Sequence, residues 1–227
     1  MMIVERLHRS AIACAALFIV SITGCKELPV DTSGITDVFS LNCPGRTSHF
    51  NEVDTFMVIG HRGASSLEVE NTIPAFQKAM YEGANAIELD FVMTKDGQIA
   101  VWHDWNPDDA IAIARERGLE FGAKYRPRFP PIGNEMRRPA DELTLEELRT
   151  NYWYQSKNVI DNERAPAEIP TMIQFMEWAQ TQTKLYYVFF DIKLPEGKAH
   201  LAHEMMGRMD SIVQAFKPTW QGVYITP

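Results

Sequence analysis

The run AIELDF at residues 86–91 restricts the fold more than any other stretch of the chain. Extended backbone sends successive side chains to opposite faces, so Glu88 and Asp90 share one face while Ile87, Leu89 and Phe91 share the other. The apolar face has to be buried under helices. The opposite face then holds two neighbouring carboxylates, which repel each other unless a cation or a basic side chain compensates them. A covered parallel sheet or a barrel meets both demands, with the acidic face turned inward. Oxygen donors with no cysteine nearby suit a hard divalent ion, Mg2+, Ca2+ or Mn2+, better than zinc.

Two histidines flank this strand. His61 follows Val58-Ile59-Gly60 and His103 follows Ile99 to Trp102, so both are expected at strand ends. In a parallel α/β barrel the carboxyl ends of the strands form the working rim, and the two imidazoles would converge there with the two carboxylates. An imidazole titrates near pH 7, so a pair can divide the acid and base roles between them. Gly63 lets backbone approach a ligand closely, and Arg62 offers a planar fork suited to phosphate oxygens. These are the parts required for metal-assisted cleavage of a phosphodiester.

The strings HRGASSLEVENTIPAF and AIELDFVMTKDGQIAVWHD, within residues 61–104, resemble the glycerophosphodiester phosphodiesterase family. That family belongs to the phospholipase-C-like phosphodiesterase superfamily and is related to spider-venom phospholipase D toxins. The resemblance resumes at Ile169-Pro170-Thr171 and at Asp191-Ile192-Lys193. It implies a TIM (β/α)8 barrel, with His61 and His103 as general acid and base. Glu88, Asp90 and Asp191 would bind Ca2+ or Mg2+, and Lys193 with Arg62 would meet the phosphate. The implied reaction is hydrolysis of a glycerophosphodiester to sn-glycerol 3-phosphate and an alcohol. Two positions depart from the family pattern. Asp191 stands where the phosphodiesterases commonly carry Glu, as it does in the toxin branch, and Val69 stands where Pro usually precedes the ENT triplet.

The start of the chain reads as an address. Arg6 and Arg9 precede an apolar run at 11–22, too short for a comfortable membrane span, which leads into Ile22-Thr23-Gly24-Cys25. That ending resembles a bacterial lipobox, implying removal of residues 1–24 and lipid attachment at Cys25; the alternative is an ordinary signal peptide with Cys25 incidental. Lys26 rather than Asp follows, so the expected location is the periplasmic face of a cell-envelope membrane, by extension the outer membrane, with membrane contact through the lipid anchor only. Residues 25–52 read as a tether and 53–227 as the phosphodiesterase domain. Cys43 would be the one remaining thiol, which excludes an internal disulfide. A formal net charge of -8 and the lack of a basic tract argue against nucleic-acid binding. An anionic diester must then be attracted locally, by the metal, Arg62 and Lys193.

Along the domain, strands are expected to begin at Phe56, Asn85, Ile99, Leu185 and Val223. Helices are expected after Thr72, near Pro107 to Arg117, after the capping box that opens at Thr144, after Thr171, and from Gly197 to Phe216. Asp191 and Lys193 taken alone read as a salt bridge; beside the earlier motif they read as part of the site. Residues 105–152 carry several prolines, Arg126, Arg128, Arg137 and Arg138, and the aromatics Phe121, Tyr125 and Phe129. They are expected to form an insertion, either a lid or head-group pocket or a solvated loop, with no residue engaged in catalysis. A (β/α)8 barrel has eight strands, so the domain is expected to be truncated after about five, a fragment or a chain closed by a partner. Two alternatives accompany this reading: a non-catalytic envelope binding lipoprotein on a truncated barrel, and a phosphodiesterase acting on lysophospholipids.

Overall fold

A computed structural model of the chain describes residues 57–158, 163–194 and 197–225. The expected signal segment, Cys25 as the expected lipidation site, the expected tether, Cys43 and the expected strand start at Phe56 lie outside the described residues. Among the described residues no helix is long and apolar enough to cross a membrane.

Among the described residues, four strands run parallel in the order β1 (Ile59–His61), β2 (Ala86–Met93), β6 (Tyr187–Ile192) and β7 (Gln221–Ile225). Helices α1 (Ile73–Tyr81), α4 (Met172–Ala179) and α5 (Ala199–Phe216) accompany them. Local chemistry starts the first two of these where the sequence indicated. Thr72 accepts a hydrogen bond from the Ala75 amide with Pro74 in the first turn, and Thr171 forms a capping box with Gln174. The apolar face of β2 then packs as expected: Ile87, Leu89 and Phe91 are fully buried in one cluster with Phe76, Phe175, Met176, Phe190 and Met205.

Strand β3 (Ile99–Val101) is a correction. It was expected as a barrel strand, but it pairs antiparallel with the end of β2, Phe91 opposite Val101 and Met93 opposite Ile99. The cause is the length of the connection. A parallel crossover needs a dozen or more residues, and only Thr94 to Gln98 separate the two strands. β2 runs on past its last pairing with β1, at Glu88, and the chain folds straight back along the vacated edge.

The segment 105–152 is the second correction. It is no solvated loop, because it builds α2 (Ala110–Glu116), β4 (Tyr125–Arg128), a 3-10 turn at Ala140–Glu142 and α3 (Leu145–Asn151), and it leads into β5 (Trp153–Ser156), which pairs antiparallel with β4. Trp102, Trp105, Phe129, Leu143, Leu148, Tyr152 and Tyr154 form its core, and Ala165 and Ile169 join them, so the packed unit extends beyond residue 152. Trp102 is the centre, with ring centroids 5.0 Å from Tyr154 and 6.1 Å from Tyr152. The Arg137 side chain, which would face water in a solvated loop, is buried and donates to the carbonyls of Pro107 and Pro130.

Candidate active site

Strand register assembles the site. His61 lies beside Glu88 across β1 and β2, and Asp90 beside Asp191 across β2 and β6, so these side chains share one face at the carboxyl ends of the strands. Glu88, Asp90 and Asp191 each bring an oxygen within 4.8 Å of the others. Lys193 follows on the same face, its Nζ 2.7 Å from Asp191 Oδ2 and 3.1 Å from Asp90 Oδ1. The salt bridge and the site, alternatives in the sequence, are one arrangement.

Asp90 is almost fully buried, and its two oxygens differ. Oδ2 accepts the side-chain amide of Asn71 at 2.7 Å, and the Asp90 amide donates back to Asn71 Oδ1 at 3.2 Å. Oδ1 is met by the Lys193 ammonium at 3.1 Å. A buried carboxylate that shares a single lysine with Asp191 and has two further carboxylates within 4.8 Å is a setting that a hard divalent cation satisfies. The three residues therefore fit a metal ion by donor type and by proximity. Burial and the charge of Asp90 push the Glu88 carboxyl up to about 8. In Asp90 itself burial acts the same way, but His103, Arg62, Lys193 and the Asn71 hydrogen bond outweigh it and hold the pKa below the usual carboxylate value. For Lys193, burial is likewise outweighed, by Asp90 and Asp191, and its pKa is raised.

Two loops complete the mouth. Arg62 and Asn71 both adopt the left-handed backbone region, at φ 53° and 56°, where a residue with a Cβ is strained. The turn at Arg62 directs its amide to Glu88 Oε2 at 2.9 Å. Gly63, at φ +77°, follows, and a Cβ there would lie 2.6 Å from the Ala75 carbonyl carbon, so only glycine lets the loop lie against α1. His61 Nε2 is 3.8 Å from Glu88 Oε2 with the ring largely open to solvent, and partial desolvation together with the Arg62 charge lowers its pKa. His103 arrives by the β3 return: the Trp102 amide donates to the Asp90 carbonyl at 3.0 Å, which sets the next residue at the mouth. The Nδ1 of His103 is 2.9 Å from Asp104 Oδ1.

The structure therefore brings together all seven residues singled out for chemistry, His61, Arg62, Glu88, Asp90, His103, Asp191 and Lys193. Arg62 takes an unexpected position. Its buried guanidinium reaches three carboxylates, Glu120 at 2.7 Å, Asp90 at 3.1 Å and Glu70 at 3.2 Å. Glu70, Asn71, Asp104, Arg115, Glu120 and Tyr154 were passed over in the sequence. The first three sit inside the matching strings, adjacent to named residues, which was a usable signal. Arg115 and Glu120 lie in the insertion, and nothing local marks them as buried.

A family model described as the glycerophosphoryl diester phosphodiesterase family matches residues 61–224. A glycerophosphodiester phosphodiesterase of Caldanaerobacter subterraneus is 54% identical over 82 residues, covering 32% of this chain and 34% of that protein. Glycerophosphodiester phosphodiesterase domain-containing protein 4 of Macaca fascicularis is 29% identical over 161 residues, 70% of this chain and 25% of its own length. Among solved structures, an Oleispira antarctica phosphodiesterase in complex with the product sn-glycerol-3-phosphate superposes with a TM-score of 0.51 at 18% identity, over 75% of this chain and 57% of that one. The chain thus spans a quarter to a third of these two curated relatives. The structural likeness shows the fold: β1, β2, β6 and β7 are part of a TIM barrel.

Proposed function

Because the chain belongs to the glycerophosphoryl diester phosphodiesterase family, we propose that it hydrolyses glycerophosphodiesters to sn-glycerol 3-phosphate and an alcohol with the help of a divalent metal ion. The observation that carries this reading is the trio Glu88, Asp90 and Asp191, within 4.8 Å of one another and flanked by two imidazoles. Mg2+ or Ca2+ held by these carboxylates would polarise the phosphoryl oxygen as a Lewis acid. His61, with its lowered pKa, is neutral near pH 7 and accepts the proton of the attacking hydroxyl or water. His103 donates a proton to the departing alkoxide oxygen, and Asp104 stabilises its imidazolium and orients the ring. Lys193 and Arg62 offset the negative charge that builds on the phosphoryl oxygens. The product bound to the Oleispira antarctica protein supports glycerol 3-phosphate as the product here.

The test is release of glycerol 3-phosphate from glycerophosphocholine by the purified chain with Ca2+ or Mg2+, followed by chelation. Release that stops with chelator is expected. Folded protein that releases nothing with either ion overturns the proposal. Leu119 and Phe121 stand exposed on either side of Glu120, whose carboxylate touches Arg62, and this apolar rim favours a second reading in which the diester carries an acyl chain. Choline release from lysophosphatidylcholine, measured beside choline release from glycerophosphocholine, decides between them by the larger kcat/KM.

A further inference from the structure

We propose that Arg115, supplied by α2 of the insertion, is a positioning residue that holds His103 for proton transfer by fixing Asp104. The proposal rests on the assignment of His103 as a proton-transfer group. Arg115 is buried, with its side chain 3% exposed, and its Nε donates to Asp104 Oδ1 at 2.9 Å and to Oδ2 at 3.2 Å. The same Oδ1 is the atom 2.9 Å from His103 Nδ1. The terminal nitrogens of Arg115 pair with Glu70 and Glu120, the two carboxylates that also take Arg62 Nη1. Tyr154 closes the group by donating its hydroxyl to Glu70 at 3.3 Å.

The consequence follows from what each group can do. Asp104 is buried beside the ring, and an ionised carboxylate only accepts, so it holds the imidazole proton on Nδ1 and leaves Nε2 for the reacting oxygen. Burying that carboxylate without a partner would drive it to take a proton or to swing toward solvent. Either change frees the ring, and a protonated Asp104 would present a donor and invert the tautomer. Arg115 prevents both because its planar fork meets Asp104, Glu70 and Glu120 at once, which a lysine, a single point charge, does not reproduce. The insertion is on this account part of the catalytic scaffold, since its first helix carries the group that orients the acid.

A purely structural ion pair would also cost stability when broken, so the test reads more than folding. The variants are Arg115→Met, Arg115→Lys, Asp104→Asn and the double Arg115→Met/Asp104→Asn, made in the full chain. The readouts are kcat and KM for glycerophosphocholine at saturating metal and the 15N signals of His103. Expected for Arg115→Met is a fall in kcat of about 10- to 100-fold with KM within about twofold, the size of loss seen when a histidine loses its orienting partner. Arg115→Lys recovers part of it. The double variant is no slower than Asp104→Asn alone, because both substitutions break one chain of contacts. His103 in Arg115→Met becomes a mixture of tautomers. Wild-type kcat in a folded Arg115→Met, or an unchanged His103 signal, overturns the proposal. If Arg115→Met does not fold, Arg115→Lys decides: kcat within about twofold of wild type would refute a role for the fork. Should the wild type release no glycerol 3-phosphate, the hydrolase reading falls, and the His103 signals still decide whether Arg115 fixes the ring.

Discussion

Glu88 and Asp90 lie two residues apart on one strand, yet their environments push their proton affinities in opposite directions. Asp90 has Arg62, Lys193, His103 and Asn71 around it, whereas the cations around Glu88 do not offset burial and the neighbouring charge, which raise its carboxyl to about 8. A carboxylate whose folded pKa exceeds its unfolded value binds more protons when folded, so its contribution to stability is full at low pH and is lost as pH rises toward 8. Metal-free protein should therefore lose stability between pH 5 and pH 8 more steeply than Glu88→Gln, measured as Tm in chelator. Parallel slopes would contradict the shift. At the other end of the site, His103→Ala should lower kcat by about 10²- to 10⁴-fold, the range for loss of a general acid or base, as read by glycerol 3-phosphate release. Most candidate site residues were legible because the three clustered carboxylates, the histidines and Lys193 lie in short strings whose spacing fixes a face. The partners that tune them come from distant segments, and spacing says nothing of those.

Elements with local causes were equally legible. The Thr72, Thr144 and Thr171 caps read directly from the residues because a capping hydrogen bond closes within one turn. The β2–β3 hairpin was misread as a barrel strand because period-two patterning looks alike in parallel and antiparallel strands; the short connection held the answer. The insertion was undervalued for a related reason. Its apolar residues are scattered among prolines and arginines, and they form a core only when Trp102, Phe129, Leu148 and Tyr152 meet. Leu148→Ala, a deletion in the middle of that core, should cost about 2–5 kcal/mol in denaturant unfolding. A loss no larger than that of an exposed substitution would mean that the unit is not packed as described. Because α2 hangs from the same unit and carries Arg115, kcat should fall in Leu148→Ala along with stability.

Across the molecule, charge opposes the proposed substrate. The chain has a formal net charge of -8, and a glycerophosphodiester is an anion, so the long-range field repels what the local cations attract. Salt shortens the reach of that repulsion, the Debye length falling from about 30 Å at 0.01 M to about 8 Å at 0.15 M. In stopped-time assays at saturating metal, kcat/KM should therefore rise about two- to fivefold over this range. A fall would show that Arg62, Lys193 and the metal dominate the approach as well as the encounter. The parallel sheet supports this separation of scales: its strands deliver the acidic side chains to one mouth, where on the proposed function a metal, and not the overall field, would draw in the phosphate.

The sequence by itself determined the period-two pattern of β2 and the helix caps, and it singled out the candidate metal trio and the two histidines, because each depends on residues close in the chain or on a short recognisable string. Tertiary structure alone decided that β3 doubles back, that residues 105–152 pack around Trp102, and that Arg62 and Arg115 are buried among Glu70, Asp104 and Glu120. The physical reason is that a buried charge is tolerated only beside its counter-charges. Here Arg115 and Glu70 are 45 positions apart, and only the folded chain makes them neighbours.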